Sequence, residues 1–405
     1  MKIDKLIIAP RDTLNYMERY INDGSPSGFT WEYSTSKSTS PMSANKTYKL
    51  LWCHTQNRFI KTYGSYPHFL NCGSGTILIH PDMAKNKRLS SLDIGESNIN
   101  VMPTSSARTV QLCDFPGYLK LNYWGMIGRV NRALTTKHIA SSMEITQLLK
   151  ETFTKQQDSF HYLSLLPECS AQAFVSDNLD FGNVYREEKP TGGGAEKVKY
   201  LVPFFSLFSN DKNNPNDKAI VLQLADVLGI DLHELVVQQI IYPIIKYYFL
   251  LITQLGLQPE WHSQNILLGL DEDLKIASFV MRDIESIDVD STIRKQLGLK
   301  HILSCYPYKH IYFEQYNYQI KHSFMFDFKL GEYLIEPLVD LVSSVCSIDK
   351  SNLYFEIKDY SQKYIKLLPD DFFPQDNCWY AVKPILIDRT KADRPYTNMG
   401  MPKFR

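Results

Sequence analysis

Hydrophobic and polar positions form their clearest pattern between residues 259 and 287. An apolar run, Ile266 to Leu270, leads into the acidic turn Asp271 to Asp273. A second apolar run, Leu274 to Met281, then ends at Arg282-Asp283. Two short apolar runs joined by turn residues predict a β-hairpin with polar groups at its outer ends.

The same kind of pattern divides the chain into a strand-rich part and a later helix-rich part. Short strands are predicted at Leu50–Cys53, Thr76–His80 and Tyr118–Tyr123, and apolar spacing predicts packing helices at Phe328–Val345 and Leu353–Leu368. The most apolar stretch, 235–257, contains internal polar residues and a proline, so a buried helix is predicted there rather than a membrane span. The pattern therefore predicts an α+β chain.

Composition narrows the class of protein. A chain of 405 residues can bury a large core in two or three domains, and its 44 Lys+Arg balance its 44 Asp+Glu. The zero formal charge gives no argument for a nucleic-acid or membrane partner. The cysteines number seven, lie far apart and form no Cys-x-x-Cys, which favours a reducing compartment over a disulfide framework or a zinc site. The first ten residues are too short and too charged for a signal peptide, so we expect a cytoplasmic protein.

Side chains that could bind a metal or a nucleotide precede and follow the predicted hairpin in the sequence. Glu260, His262, Gln264 and Asn265 precede its first strand, and Asp283 follows its second. Asn265 and Asp283 would meet at the open end, where two oxygen ligands can hold Mg²⁺ between triphosphate oxygens. Taken alone, a hairpin with ordinary polar ends and a histidine bonded to a backbone carbonyl explains the pattern equally well.

A basic block lies upstream of the hairpin. Ser106, Arg108 and Thr109 place two hydroxyls and a guanidinium within four residues, Lys120 follows on a predicted strand, and Arg132 comes twelve residues later. Charge-assisted bonds from such groups suit a triphosphate or a polycarboxylate. By itself, this block is also explained by an exposed basic face of a strand.

In order and spacing, the two blocks together resemble the NRPS-independent siderophore synthetases, the IucA/IucC-like family. Members carry Ser-x-Arg-Thr, a strand Lys, an Arg about a dozen residues on, then Glu-x-His-x-Gln-Asn and a downstream Arg-Asp. Arg186 resembles the family's strand-borne arginine, and Lys383 its C-terminal lysine, so the resemblance covers roughly residues 75 to 390. The family's His-Pro-x-His-x-x-x-Lys segment is not found, which suggests a shortened member.

The resemblance implies a multi-lobed fold of thumb, fingers and palm. Residues 1–95 would form a reduced N-terminal lobe, and residues 96–210 would form an antiparallel-sheet lobe with the phosphate-binding residues. A mainly helical lobe, 211–405, would hold the 259–287 hairpin, with ATP between the last two lobes.

The resemblance also implies a reaction and roles for residues. Such enzymes transfer AMP from ATP to a carboxylate, often an arm of citrate, and an amine or hydroxyl then attacks the acyl-adenylate. Phosphate binding would fall to Ser106, Arg108, Thr109 and Lys120. Arg132 would bridge phosphate and carboxylate, and His262 would donate to the acyl oxygen in the transition state, so His262, Arg132 and Lys120 are the candidate catalytic residues. The remaining predicted roles are Mg²⁺ binding by Asn265 and Asp283, lining of the nucleotide site by Glu260 and Gln264, and carboxylate binding by Arg186 and Lys383.

Two other functions stay open. A kinase-like phosphotransferase would share a His near an Asn and a later Asp, but Ser263-Gln264 stands where a catalytic-loop Asp is required. A non-catalytic nucleotide- or carboxylate-binding protein would keep the pocket without the reaction. The expected partners are small-molecule substrates, with a homodimer as a family-level expectation. The glycine-rich segment 191–197 lacks a P-loop ending and is predicted to be a flexible hairpin loop.

Overall fold

The computed structural model describes residues 1–22, 36, 38–43, 46–127, 130–303, 318–382 and 396–405. This part of the chain forms two compact units. Unit 1 comprises Met1–Ala219 and Ile266–Glu285, and unit 2 comprises Ile220–Asn265 and Ser286–Arg405. The candidate carboxylate-binding Lys383 lies outside the described residues.

Both helices and strands are numbered in the order in which they follow one another along the chain. The α-helices are α1 (Asp4–Ile8), α2 (Pro10–Tyr20), α3 (Thr136–Lys155), α4 (Phe204–Phe208), α5 (Ile220–Leu228), α6 (Tyr242–Leu255), α7 (Ser291–Gln296), α8 (Tyr318–Ser323), α9 (Glu336–Cys346) and α10 (Lys350–Ile365). The strands are β1 (Tyr48–His54), β2 (Ile60–Tyr63), β3 (Thr76–Ile79), β4 (Asp93–Pro103), β5 (Thr109–Leu112), β6 (Tyr118–Leu121), β7 (Tyr123–Ile127), β8 (Val130–Arg132), β9 (Leu163–Leu165), β10 (Ser170–Val175), β11 (Asp180–Arg186), β12 (Thr191–Gly192), β13 (Tyr200–Pro203), β14 (Leu257–Gln258), β15 (Ile266–Leu270), β16 (Ile276–Met281), β17 (Asp288–Val289), β18 (Tyr380–Val382) and β19 (Tyr396–Asn398).

An eight-stranded antiparallel sheet dominates unit 1, in the order β2-β10-β11-β6-β5-β4-β1-β3. In its centre Thr109 pairs with Lys120, and Lys120 pairs with Val184. Residues that pair across strands share a face of the sheet, so Thr109 and Lys120 project together. Their strand neighbours Val110 and Leu119 are fully buried in an apolar cluster. The alternation therefore places Thr109 and Lys120 on the face opposite to this cluster.

The predicted hairpin is confirmed in a second, five-stranded sheet of unit 1, in the order β12-β9-β16-β15-β13. β15 and β16 pair in antiparallel fashion from Ile266↔Met281 to Leu270↔Ile276. Every residue of β15 is buried, and β15 lies between β13 and β16 in the sheet. Burial on both faces explains why its sequence is a continuous apolar run rather than an alternating one.

The glycine-rich segment 191–197 differs from its prediction as a hairpin loop. β12 pairs with β9, not with a neighbouring strand of a hairpin. Gly194 has φ +72°, and a Cβ there would lie 2.0 Å from the carbonyl oxygen of Ala277. The composition of the segment correctly indicated that the backbone needs glycine there. The reason is that another backbone segment of the unit packs closely against it.

Substituting Gly194 by alanine is expected to destabilise the chain. The left-handed backbone and the overlap with Ala277 together cost about 3 kcal/mol. Gly229→Ala is the control, because its φ of +62° is similar and no described atom lies within 4 Å of the added Cβ. It should cost only about 1 kcal/mol. Urea unfolding of both variants measures the difference, and equal losses would contradict the packing argument.

Unit 2 is mainly helical, with the short pairs β14–β17 and β18–β19. Its apolar stretch forms one continuous helix, π-helical over Glu234–Ile241 and α-helical over Tyr242–Leu255. By length and composition this helix could cross a membrane, but 67% of its most apolar window is buried within the chain, as in the core helix of a globular unit. The other two predicted packing helices are confirmed by α9, with the π-helical Phe324–Ile335 before it, and by α10.

The fold is α+β, with a large antiparallel sheet and a helical second part, as predicted. Strands from both sides of residue 95 belong to one sheet, since β1 and β3 pair with each other and β1 pairs with β4. The division into three lobes at residues 95 and 210 stays a prediction.

Candidate functional site

A buried lysine forms the centre of a charged cluster in unit 1. The Lys120 side chain is only 1% exposed, and its Nζ contacts carboxyl oxygens of both Asp283 and Glu285, the latter at 2.7 Å. β6 supplies the lysine, and the segment that follows β16 supplies the two acids. The segment that follows the predicted hairpin therefore lies against the face of the large sheet that carries Lys120.

Arg186 joins this cluster from the end of β11. Its Nη2 lies 3.5 Å from an Asp283 oxygen, and its Nε and Nη2 bond the buried Glu168 at 3.0 and 2.5 Å. Glu168 also accepts a hydrogen bond from the Ser142 hydroxyl on α3. Arg186 was predicted as a weaker carboxylate-binding candidate, and the cluster places it beside a predicted metal ligand.

Arg108 reaches the cluster from a tight turn between β4 and β5. Its Nη2 lies 3.5 Å from Glu285, and its Nη1 donates to the backbone oxygen of Arg132 at 3.1 Å. Within the turn, the Thr109 N–H donates to the Ser106 hydroxyl at 3.0 Å, and Ala107 has a φ of +60°. These bonds fix the Ser-x-Arg-Thr motif in one conformation.

Two residues of the site have left-handed backbone. Besides Ala107, Asp283 has a φ of +62°. Such conformations cost free energy for residues other than glycine and persist where the surrounding contacts hold them, often at functional sites.

Burial opposes the charged forms of Asp283, Glu285 and Lys120, yet their ion pairs outweigh it. Burial would raise the pKa of Asp283, but Lys120 and then Arg186 hold it well below its usual range. The pKa of Glu285 is lowered in the same way by Lys120 and Arg108. Burial would lower the pKa of Lys120, but the two carboxylates raise it above its usual value. These three side chains are therefore ionised at neutral pH.

The depressed pKa of Asp283 predicts a pH dependence of stability. A carboxyl whose pKa is lower folded than unfolded contributes fully above about pH 5, and that contribution is lost as the pH falls below about 4. Asp283→Asn removes the titration but tolerates the left-handed backbone. The difference in unfolding free energy between wild type and variant should be constant from about pH 5 to 8 and shrink below about pH 4. A difference that grew in acid would contradict the ion pairing.

His138, on the first turn of α3, lies at the edge of the cluster. Its Nε2 is 3.9 Å from Glu285, and its Nδ1 contacts the Thr135 hydroxyl at 2.8 Å. Burial lowers the pKa of His138; Glu285 raises it, whereas Arg108 and Lys120 lower it further. The imidazole is therefore neutral at neutral pH and can act as a hydrogen-bonding group.

The Glu-x-His-x-Gln-Asn motif lies in unit 2, in the loop that precedes β15. His262 is buried, and its Nδ1 accepts from the backbone N–H of Gln264 at 3.2 Å. Asn265 donates from its amide nitrogen to the Glu260 backbone oxygen at 3.1 Å and to the Ser286 hydroxyl at 3.3 Å. A neutral His262 ring consequently carries its proton on Nε2, and the Asn265 amide presents its oxygen as the potential ligand.

The predicted residues thus divide between the units. Unit 1 brings together Arg108, Lys120, Arg186 and Asp283, and it also holds Ser106, Thr109 and Arg132, the last in contact with Arg108 through its backbone. Unit 2 holds Glu260, His262, Gln264 and Asn265. In the described part of the chain no group of three or more His, Cys, Asp or Glu forms a metal-binding cluster.

Sequence reasoning missed three members of the site: His138, Glu168 and Glu285. For Glu285 a signal existed, because an acid two residues after Asp283 can share the same cation. The other two come from distant elements, and nothing in their local sequence marks them.

Comparisons with known proteins agree with this architecture. Residues 78–208 match the model of the IucA / IucC family. Among curated proteins, no sequence matches the chain.

Three solved structures share the fold at low sequence identity. The petrobactin biosynthesis protein AsbB from Bacillus anthracis str. Sterne aligns at 16% identity with a TM-score of 0.65, covering 93% of this chain and 70% of that one. The ATP-bound aerobactin synthetase IucA from a hypervirulent pathotype of Klebsiella pneumoniae aligns at 13% identity with a TM-score of 0.68, covering 99% of this chain and 80% of that one. Aerobactin synthetase IucC from the same pathotype aligns at 12% identity with a TM-score of 0.65, covering 100% of this chain and 78% of that one. The family match covers the segment that carries Arg108, Lys120, Arg132 and Arg186, and the three solved structures share the fold over nearly the whole chain.

Proposed function

We propose that this chain is an ATP-dependent ligase of siderophore or related small natural-product biosynthesis. It would adenylate a carboxylic acid, release pyrophosphate and condense the acyl group with an amine or hydroxyl to form an amide or ester. One observation carries the proposal. Arg108 and Lys120, to which the family resemblance assigns phosphate binding, form ion pairs with Asp283 and Glu285 directly after β16. One similar structure, aerobactin synthetase IucA, is described as ATP-bound, which supports ATP as the substrate.

The cluster is suited to a polyanion because its cations are already gathered and desolvated. Arg108, Lys120 and Arg186 each contact at least one carboxylate, so their side chains are held in place without a ligand. Preorganised cations stabilise the charge that develops on phosphate oxygens without reorganising during the reaction. A triphosphate would compete with Asp283 and Glu285 for these cations.

The donor chemistry fits Mg²⁺. Asp283, whose side chain is 27% exposed, and the neighbouring Glu285 offer carboxylate oxygens, the ligands that Mg²⁺ prefers. The ion would supply neutralisation of phosphate charge when bound. Asp283 would then be a ligand, with Glu285 beside it, and Lys120 would bind phosphate. Asn265 remains the second predicted ligand.

Two further residues have proposed roles in the acyl transfer. His262, with its proton on Nε2, would donate to the acyl-adenylate oxygen as negative charge develops there. Arg132 would hold a substrate carboxylate. These assignments rest on the family resemblance, and for His262 also on the tautomer that the bond to Gln264 selects.

The test is pyrophosphate release from ATP and Mg²⁺, screened against citrate, other polycarboxylates and amino acids, with hydroxylamine as a generic nucleophile. Carboxylate-dependent pyrophosphate, lost in Arg108→Ala, His262→Ala and Asp283→Ala, is the expected result. ADP as product would instead identify a phosphotransferase. ATP binding without turnover on any acid would favour the non-catalytic binding protein.

A further inference from the structure

Helix α2 is fastened to the large sheet of unit 1 by polar side chains on one of its faces. Arg11 donates to backbone oxygens of the β5–β6 connection, including Cys113 at 3.0 Å. Asn15 donates to the Pro103 oxygen at 3.1 Å at the end of β4. Glu18 is the third polar residue on this face of the helix. Positions 11, 15 and 18 follow the i, i+4, i+7 spacing that places side chains on one helix face.

Glu18 differs from the other two because it joins two segments of the charged cluster. One of its carboxyl oxygens accepts from the backbone N–H of Ser105 at 3.1 Å and from the Ser105 hydroxyl. Its other oxygen contacts the guanidinium of Arg282. The Glu18 side chain is 2% exposed and that of Arg282 10%, so this contact is shielded from water.

Both segments that Glu18 holds carry residues of the site. Ser105 begins the turn that presents Arg108, and Arg282 directly precedes Asp283. Each segment also contains a left-handed residue, Ala107 or Asp283, whose conformation has to be held by its surroundings. A carboxylate with charge-assisted bonds to both segments supplies that constraint.

We propose that Glu18 is a positioning residue that sets the phosphate-binding turn and the Asp283 segment in register. Glu18 comes from a helix that precedes the family-matched residues 78–208, so this function is carried by a part of the chain outside that match. The catalytic consequence of this inference rests on the proposed function, whereas the structural constraint does not.

The first readout is the affinity for ATP with Mg²⁺ in the full-length chain. Glu18→Gln keeps the shape and an acceptor for Ser105 but loses the ion pair with Arg282. We expect it to weaken binding about tenfold, as for the loss of one charge-assisted contact. Arg11→Met is the matched control, because it loosens α2 at the opposite end and leaves Glu18 in place. It should change the affinity less than twofold, even if its Tm falls as far.

A double-mutant cycle and hydrogen exchange separate positioning from general stability. Arg282→Met should weaken binding like Glu18→Gln, and the double variant should be no worse than either single one, since both break the same link. Amide exchange at residues 104–109 and 282–285 should accelerate in Glu18→Gln and stay unchanged in Arg11→Met.

Three outcomes are decisive. Unchanged affinity and unchanged exchange in Glu18→Gln would overturn the positioning role. Equal weakening in Glu18→Gln and Arg11→Met at equal Tm would overturn it in favour of simple docking of α2. A wild-type chain that binds no ATP would refute the proposed function, and the exchange at the two segments would then decide the positioning role alone.

Discussion

Lys120→Met is expected to lower kcat/KM for ATP-dependent pyrophosphate release by on the order of 10²–10³-fold, the loss typical of removing one preorganised electrostatic donor. Lys120 is buried and carries its charge because Asp283 and Glu285 raise its pKa. Without it, the buried Glu285 and the partly exposed Asp283 lose their main counter-charge. Breaking such a buried pair also costs stability, about 3 kcal/mol.

Controls distinguish the loss of a phosphate contact from simple unfolding. Lys120→Arg keeps the charge but not the geometry, so it should fold better than Lys120→Met and recover part of the activity. Lys49→Met removes a lysine of the same sheet whose ion pair with Glu96 is exposed, and it should leave both activity and stability within experimental error. Full activity in folded Lys120→Met would show that the cluster has no role in catalysis.

Replacing His262 should lower kcat and leave the KM for ATP nearly unchanged, because the proposed bond forms only in the transition state. His262→Asn places an amide near Nδ1, where it can still accept from the Gln264 N–H, but it removes the donor at Nε2. We expect kcat to fall on the order of 10²-fold or more in this variant. His262→Gln places its amide nitrogen near Nε2, so the loss should be about tenfold smaller.

The comparison of Asn with Gln at residue 262 tests the assigned tautomer. Single-turnover measurements at saturating ATP separate the adenylation step from product release. Equal losses in the two variants would show that the Nε2 donor is not what His262 contributes. A raised KM with an unchanged kcat would indicate ground-state binding of the nucleotide instead.

The sequence predicted what depends on local pattern. Alternating and continuous apolar runs predicted the hairpin of β15 and β16, and helical spacing predicted α9 and α10. The motif order predicted Arg108, Lys120 and Asp283 as functional candidates. These features could be predicted because each depends on residues that lie close together in the sequence.

What the sequence did not predict depends on contacts between distant elements. Glu168 reaches Arg186 only because β10 and β11 pair in a register that sets Ser170 opposite Tyr185. Glu18 lies 264 residues from its partner Arg282, and its helix has no motif of its own. The segment around Gly194 shows the same limit, since composition predicts a turn but not which backbone packs against it.

The most direct test of the central claim follows the oxygen of the substrate acid. Once the screen has identified a carboxylate, the acid is labelled with ¹⁸O in its carboxyl group and turned over with ATP and a nucleophile. If the carboxylate attacks the α-phosphorus and the nucleophile later displaces AMP, one labelled oxygen leaves in the AMP phosphate. Mass spectrometry should therefore find AMP carrying one ¹⁸O, with the pyrophosphate unlabelled. Label in inorganic phosphate, with ADP as the nucleotide product, would contradict adenylation and identify an acyl-phosphate route.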